Sequence, residues 1–454
     1  MEKPRPGRHR VRRAGIPARS VSLSHPDFSG VIMSSLTNLS SRGAAADSSV
    51  APFLPSFDPL IPHPEHVNNP YRVYAELRAN APMYRSPHGV WIASGHSEVA
   101  YMLKDAHFGR GYFYFENMAE RLGAGILDQP IYTSARNMMV MKDGDEHLRL
   151  RNLVARSFSH KRVDEMRPFM RSVMNELVDA ALKKTSFDVM LDLAFPLPSA
   201  VICQMIGVPK EDWPKFRQRT ANGSRALEPA PLSPIELFEQ NQAVDQSREY
   251  FEWLIDLRRR EPGDDLTSLL IACEVEGRLT RPETIDNLRM MFVAGQETTV
   301  NTIGNGLLAL YRHPDQLRAL KENPALLPDA VTEMVRYDSA VQMTPRQARC
   351  DIEVGGAAIK AGETILCIVA SANRDSDAWA EADRFDITRT NSYPLSFGGG
   401  PHYCLGAQLG AVETAVALET LFERLPDLKP EIHDPQWLPG TVVFRGLRSL
   451  PATA

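Results

Sequence analysis

From Met166 onward, Phe169, Met170, Val173, Met174, Leu177, Val178, Ala181 and Leu182 recur at alternating three- and four-residue steps, a period that only an amphipathic helix turns to one side. The spacing predicts a helix over residues 166–182 and makes its methionines core residues rather than ligands. Further helices are predicted over 71–78, 235–260, 281–312 and 327–338. Strand-like runs are short: a hairpin from 83–85 and 90–93, and 365–370 as the clearest strand. The expected fold class is therefore mainly α with a minor β region.

At 454 residues the chain is long enough for two or three average domains, but residues 49–454 read as one large continuous domain. Hydrophobic residues at 43%, charged residues at 24% and a formal charge of -5 give no reason to expect nucleic acid and suit a small-molecule enzyme. The cysteines, Cys203, Cys273, Cys350, Cys367 and Cys404, are odd in number and scattered. That suits neither a disulfide framework nor a paired-thiolate zinc module, so the expected location is a reducing one, the cytoplasm. No uninterrupted apolar run reaches the roughly 18 residues a membrane span needs, and no lipidation signal or short-period repeat is seen. Residues 1–48 differ: Arg5, Arg8, Arg10, Arg12, Arg13 and Arg19 crowd an acid-poor, Ser-rich stretch. They read as a disordered basic tail or an over-extended start with Met33 as the true first residue, although a transit peptide shares the composition.

Arg258, Arg259 and Arg260 precede Glu261-Pro262-Gly263 and mark the solvated end of a helix. Two irregular stretches have the length of functional loops: 108–129, with Tyr112, Phe113, Tyr114 and Phe115, and 227–234, with three prolines.

The strongest chemical signal is Phe397-Gly398-Gly399-Gly400-Pro401-His402-Tyr403-Cys404-Leu405-Gly406, followed by residues of good helical composition. A cysteine in the first turn of a helix meets unpaired N–H groups and the positive dipole end, which lower its pKa and favour the thiolate a soft metal requires. Glycines ahead of it let the backbone pass close to a flat cofactor, and Phe397 can wall the sulfur from water. The bland alternative is a buried, inert cysteine beside a flexible linker. A zinc site through His402 and Cys404 has no nearby pair to complete a tetrahedral shell.

This segment resembles the haem-binding signature of the cytochrome P450 family: an aromatic, two residues, Gly, one residue, His or Arg, one residue, Cys, one residue, Gly. Phe397, Gly400, His402, Cys404 and Gly406 fit it. The resemblance implies the cytochrome P450 fold and haem b, with Cys404 as the axial thiolate of the iron, Phe397, Gly398 and Gly406 around the cofactor, and His402 at a propionate. A second segment, Ala294-Gly295-Gln296-Glu297-Thr298-Thr299, is similar to the family's oxygen-activation motif. Gly295 inside a helix costs about 1 kcal/mol relative to Ala and suggests a groove where a ligand nears the backbone. Thr298 offers a proton-donating hydroxyl and Glu297 a proton relay, both catalytic roles; alternatively Thr298 bonds back one turn and Glu297 is merely solvated.

Glu333 and Arg336 share a helix face and resemble the family's structural Glu-x-x-Arg pair, which braces the meander beneath the haem together with Asn373-Arg374-Asp375 and 379–385. Two propionates need cationic donors, Arg best of all. His147 and Arg151, four apart, and Arg346 resemble the family's propionate partners. The resemblance runs from about Asn69 to the C-terminus. It implies a monooxygenase, most commonly a hydroxylase, that inserts one oxygen atom from O2 into a small apolar substrate. No dinucleotide fingerprint or fused redox module is present, so electrons are expected from a separate ferredoxin or flavodoxin with its reductase, docking on a locally basic face. A peroxide-driven peroxygenase and a non-catalytic haem-binding protein are the alternatives, and neither gives a reason for Glu297 beside Thr298.

Overall fold

The computed structural model describes residues 57–61, 63–110, 119, 123–216, 227–390 and 392–454. By contact the chain divides after Ala46, and every described residue belongs to the unit Asp47–Ala454. The basic segment up to residue 48 and the aromatic run Tyr112, Phe113, Tyr114 and Phe115 lie outside the described residues.

The longer helices are α1 (Pro70–Asn80), α2 (His96–Lys104), α3 (Gly144–Val154), α4 (Arg167–Ala181), α5 (Pro196–Ile206), α6 (Pro234–Arg260), α7 (Leu266–Val275), α8 (Arg281–Arg312), α9 (Pro314–Glu322), α10 (Leu327–Tyr337) and α11 (Ala407–Arg424). Local chemistry starts the two longest. At α8 the Thr280 hydroxyl accepts from the Glu283 N–H while the Glu283 carboxylate accepts from the Thr280 N–H, with Pro282 in the first turn. Ser233, Pro234 and Glu236 repeat the arrangement at α6. Each box satisfies two amides that a helix start leaves without partners. α5 stops at Gly207, whose φ of 89° only glycine adopts cheaply, so that the Val208 N–H reaches the Cys203 carbonyl at 2.9 Å.

Met170, Val173, Met174, Val178 and Ala181 of α4 are buried, Phe169 and Leu177 partly so. Leu182 departs from the expected stripe: it caps the helix and is 50% exposed. α4 packs on α11, and α11 on the 32-residue α8, which also contacts α5 and α10. α8 is buried at Ile285 and Leu288 and again at Ile303 and Leu307, yet from Phe292 to Thr298 it is half-buried, and Ala294 is exposed. Between its exposed ends at Pro282 and Arg312, the helix is exposed at Ala294, and such a break in the cover of a core helix borders a recess.

The main sheet joins β1 (Met83–Arg85), β2 (Trp91–Ala93), β3 (Phe108–Gly109), β4 (Thr344–Ala348) and β5 (Thr364–Cys367) in the order β1-β2-β5-β4-β3. The β1–β2 hairpin sets Met83 opposite Ala93; β2 and β5 run parallel. The expected strand 365–370 is cut short at Cys367, and Val369–Ala372 turns helical. Its ladder partner ends at Ala93, whose carbonyl takes the Ile368 N–H at 2.8 Å, and the Ala370 N–H then turns away to the Gln342 carbonyl at 3.1 Å. Val189–Ile206 is long and apolar enough to cross a membrane by composition alone, but Asp192 interrupts it and 83% of it is buried as core. Of the arginines ending α6, Arg259 and Arg260 are exposed as expected and Arg258 is half-buried. Arg258 donates to the Gly207 carbonyl (2.6 Å) and pairs with Asp265 at 3.1 Å, and Arg259 pairs with Glu274 at 2.9 Å.

Candidate active site

The cysteine loop is anchored before it begins. The Leu395 N–H donates to Asn373 Oδ1 (2.7 Å), Asn373 Nδ2 donates to Ser396 Oγ (2.6 Å), and Ser396 Oγ donates to the Val335 carbonyl of α10 (2.8 Å). The Cys404 N–H then closes the loop onto the Phe397 carbonyl at 2.8 Å. Gly400 has φ 60°, and a Cβ there would lie 2.9 Å from the Leu103 carbonyl and 3.0 Å from Lys104 Cα. The loop thus rests on the end of α2 where no side chain fits. Gly398, at φ 76°, is also in the left-handed region.

Cys404 is not in the first turn of the helix. α11 begins at Ala407 with Gly406 as its cap, so the cysteine sits in the loop. Burial pushes its thiol up, opposed by the Gly406 backbone N–H and by the Arg151 charge. The expected depression is therefore reversed: desolvation outweighs the donors. Cys404 is nonetheless accessible; both facts describe a side chain lining a deep recess. A Cβ on Gly406 would meet nothing within 4 Å, and Phe397, half-buried, holds its ring 6.4 Å from that of Tyr403.

His147 and Arg151 lie on one face of α3, and the structure brings His402 to them. The imidazoles of His147 and His402 stack at 4.0 Å, and Arg151 donates to the Tyr403 carbonyl at 2.7 Å. Burial, then the neighbouring His402 and Arg151, push His147 down to about 4; burial also lowers His402, against its 3.2 Å contact with Asp143. Arg346 on β4 is buried and donates to the Pro345 carbonyl at 2.9 Å and to Thr344 Oγ1 at 3.4 Å, but makes no ion pair among the described residues. Its pKa is lowered by burial.

Thr298 and Glu297 occupy the uncovered middle of α8. Thr298 Oγ1 donates to the Ala294 carbonyl at 3.0 Å, and Thr302 repeats this onto Thr298 at 2.8 Å. Glu297 is half-buried. The expected groove at Gly295 is instead a close helix crossing, since a Cβ there would stand 3.2 Å from Ile202 Cδ1 of α5. The opening lies at Ala294. α11 crosses beside it, where a Cβ on Gly410 would be 3.3 Å from Thr299 Oγ1. The helix leading from Cys404 thus touches α8 next to Thr298.

Glu333 and Arg336 form a fully buried bidentate pair at 2.7 and 2.8 Å. The remaining guanidinium hydrogens go to the carbonyls of Asn373 (2.8 Å), Ala382 (2.7 Å) and Arg384 (2.9 Å). Asn373 is the residue that anchors Leu395 and Ser396, so the pair is linked to the cysteine loop through a single residue.

Sequence reasoning missed Arg110 and Asp143. Arg110 follows β3 and its Nε is buried without a partner; burial, then Arg346, push its pKa down to about 9. Asp143 precedes α3 and gathers the Arg110 N–H (2.8 Å), Arg349 (3.0 Å) and His402. Only the general need for cationic donors pointed this way; nothing in the spacing singles out Arg110. Glu228, in the loop 227–234, was also unforeseen: its buried carboxylate accepts from the N–H groups of Val442 (2.8 Å) and Val443 (3.1 Å). Val442 borders a narrow cleft with Phe57, Tyr74, Trp437 and Arg445. That cleft contains none of the residues described above and is not the site.

The cytochrome P450 family profile matches residues 236–436. A putative cytochrome P450 133B1 of Xylella fastidiosa (strain 9a5c) is 37% identical over 368 residues, 81% of this chain and 91% of the relative. The biotin biosynthesis cytochrome P450 of Bacillus subtilis (strain 168) is 35% identical over 393 residues, 86% of this chain and 97% of the relative. Among solved structures, P450BioI in complex with a hexadec-9Z-enoic acid ligated acyl carrier protein superposes with a TM-score of 0.79 at 35% identity, covering 86% of this chain and 99% of that one. The chain belongs to the cytochrome P450 family and is a monooxygenase with the mainly helical fold of its bacterial members.

That family implies haem with a thiolate ligand, and the recess fits such a group. Among the described residues Arg110 Nε and His147 Nδ1 are buried without partners, and Arg346 is buried with neutral acceptors alone. Buried cations short of anions are costly, and a ligand carrying two carboxylates satisfies them.

Proposed function

We propose that this chain is a haem-thiolate monooxygenase in which Cys404 ligates the iron and one oxygen atom of O2 enters a small apolar molecule, most commonly as hydroxylation. The single observation that carries this reading is the meeting of α11, which leads from Cys404, with α8 beside Thr298. When bound, the haem supplies dioxygen activation driven by two electrons. His147, Arg151, Arg346 and His402 hold its propionates; Phe397, Gly398 and Gly406 line its thiolate side. Arg151 and the Gly406 N–H favour the thiolate against the burial that opposes it.

The Thr298 hydroxyl now bonds to its own preceding turn. One rotamer step turns it to donate a proton into the recess, and its oxygen remains free to accept one from water. Glu297, in the same turn, passes protons to that water. The substrate binds over the uncovered turn at Ala294. Relatives named for biotin biosynthesis and for vitamin D(3) 25-hydroxylation support an apolar substrate with its reactive carbon held there. Electrons arrive from a separate ferredoxin or flavodoxin with its reductase, in the cytoplasm.

Optical titration of the ferric protein with a panel of apolar metabolites tests the reading. A saturable Soret shift from loss of the iron-bound water nominates the substrate class. Cys404→Ser abolishes the red-shifted, thiolate-type Soret band of the ferrous carbon monoxide complex; a variant that keeps that band overturns the ligand assignment.

A further inference from the structure

The charges around the recess do not balance with the residues the family motif supplies. Among the described residues Arg110, Arg346 and Arg349 share one carboxylate, Asp143; Arg110 and Arg346 also lie near the Cys367 thiol, which burial pushes up to about 11 so that it supplies no anion, and Arg151 lies near Cys404. Asp143 is already committed: Oδ1 to His402, Oδ2 to the Arg110 backbone and to Arg349. Arg151 is coupled to Cys404. The Arg346 charge adds to the cost that burial of the Arg110 guanidinium already carries, and Asp143 offsets only part of it. Like charges at short range in low dielectric persist only when an anion lies between or beside them. Arg346 has its neutral acceptors, but Arg110 Nε is buried and has none among the described residues. A guanidinium fork is the side chain best shaped to take a carboxylate.

We propose that Arg110 is an additional carboxylate anchor for the cofactor, sharing with Arg346 one of the haem propionates. The assignment rests on the haem reading above. Its grounds are the unpartnered buried Nε, the adjoining Arg346, and an Asp143 whose oxygens are already taken. Arg110 thereby ties the end of β3 to the cofactor and adds a positive charge that favours the ferrous state.

The test compares the purified haem-loaded full chain with Arg110→Gln and Arg110→Lys, reading the rate of haem transfer to apomyoglobin and the ferric–ferrous reduction potential. Arg110→Gln is expected to release haem at least tenfold faster and to shift the potential negative. Arg110→Lys, which keeps the charge but not the fork, restores the potential while releasing haem at an intermediate rate. Transfer and potential matching wild type in Arg110→Gln overturn the proposal. So does a potential that falls equally in both variants, because a bracing role does not follow charge. Should Arg110→Gln fail to fold, the Lys variant decides alone: wild-type haem release refutes the fork. A wild-type protein without a thiolate-type carbon monoxide spectrum instead defeats the haem reading itself, which separates the two failures.

Discussion

Replacing Arg336 by Lys keeps the charge and removes the fork. The guanidinium makes five hydrogen bonds, two to Glu333 and one each to the carbonyls of Asn373, Ala382 and Arg384. An ammonium has three hydrogens, so at least two buried acceptors lose their donor. At about 1–3 kcal/mol for each buried group left unsatisfied, the loss is roughly 4 kcal/mol. Unfolding entropy of about 2.1 cal/mol/K per residue, taken over the unit Asp47–Ala454, converts this into a fall in Tm of roughly 5 °C. Glu333 keeps Arg389 (3.3 Å) and the Asp386 N–H (2.8 Å), which stops the loss from growing to that of an isolated buried charge. Because Asn373 also holds Leu395 and Ser396, the variant releases haem faster as well. Thermal denaturation followed by circular dichroism, with haem content by pyridine haemochromogen, measures both effects. A Tm within about 1 °C of wild type at full haem content refutes the reasoning.

Thr298→Ala removes the hydroxyl on the open turn of α8; product per reducing equivalent is expected to fall several-fold while reductant consumption continues as peroxide, and unchanged coupling rules out a proton-delivery role. Gly400→Ala forces a Cβ against the Leu103 carbonyl at an unfavourable φ, costing about 2 kcal/mol or more; a normal yield of haem-loaded protein with wild-type Tm shows that the loop can give way. Glu413 of α11 is buried, its Oε2 has no partner, and burial raises its pKa well above 4.5. The folded state therefore holds a proton that the unfolded state releases. The site costs nothing below pH 4.5 and increasingly destabilises as pH rises towards the folded pKa, by at most about 1.4 kcal/mol per unit. Glu413→Gln is expected to raise Tm more at pH 8 than at pH 5, and an equal gain at both pH values contradicts a neutral buried carboxyl.

The helices were readable because their information is local: the α4 stripe, and the Pro-Glu starts of α6 and α8, lie within a few consecutive residues. The hairpin was readable for the same reason. The end of β5 was not, since it depends on where β2 stops. Leu182 kept the helical period but lost its burial because a period does not say where a partner helix ends. The glycines and cysteine of 397–406 announced themselves by spacing, and so did the segment 294–299. Yet the sign of the Cys404 shift depended on burial that no spacing encodes. Arg110, Asp143 and Glu228 act through contacts with residues distant in the chain, and an Arg after a two-residue strand looks like any surface cation.

Glu228 reads residues 442 and 443 through their main-chain amides. A latch that addresses the main chain leaves the side chains at both positions to be set by the core they enter, where Val442 and Val443 are buried, so the fastening of the loop 227–234 and the packing beneath it are specified separately. Apolar residues close to valine in volume should therefore be accepted at 442 and 443 and polar or much larger ones rejected, whereas position 228 should accept almost none.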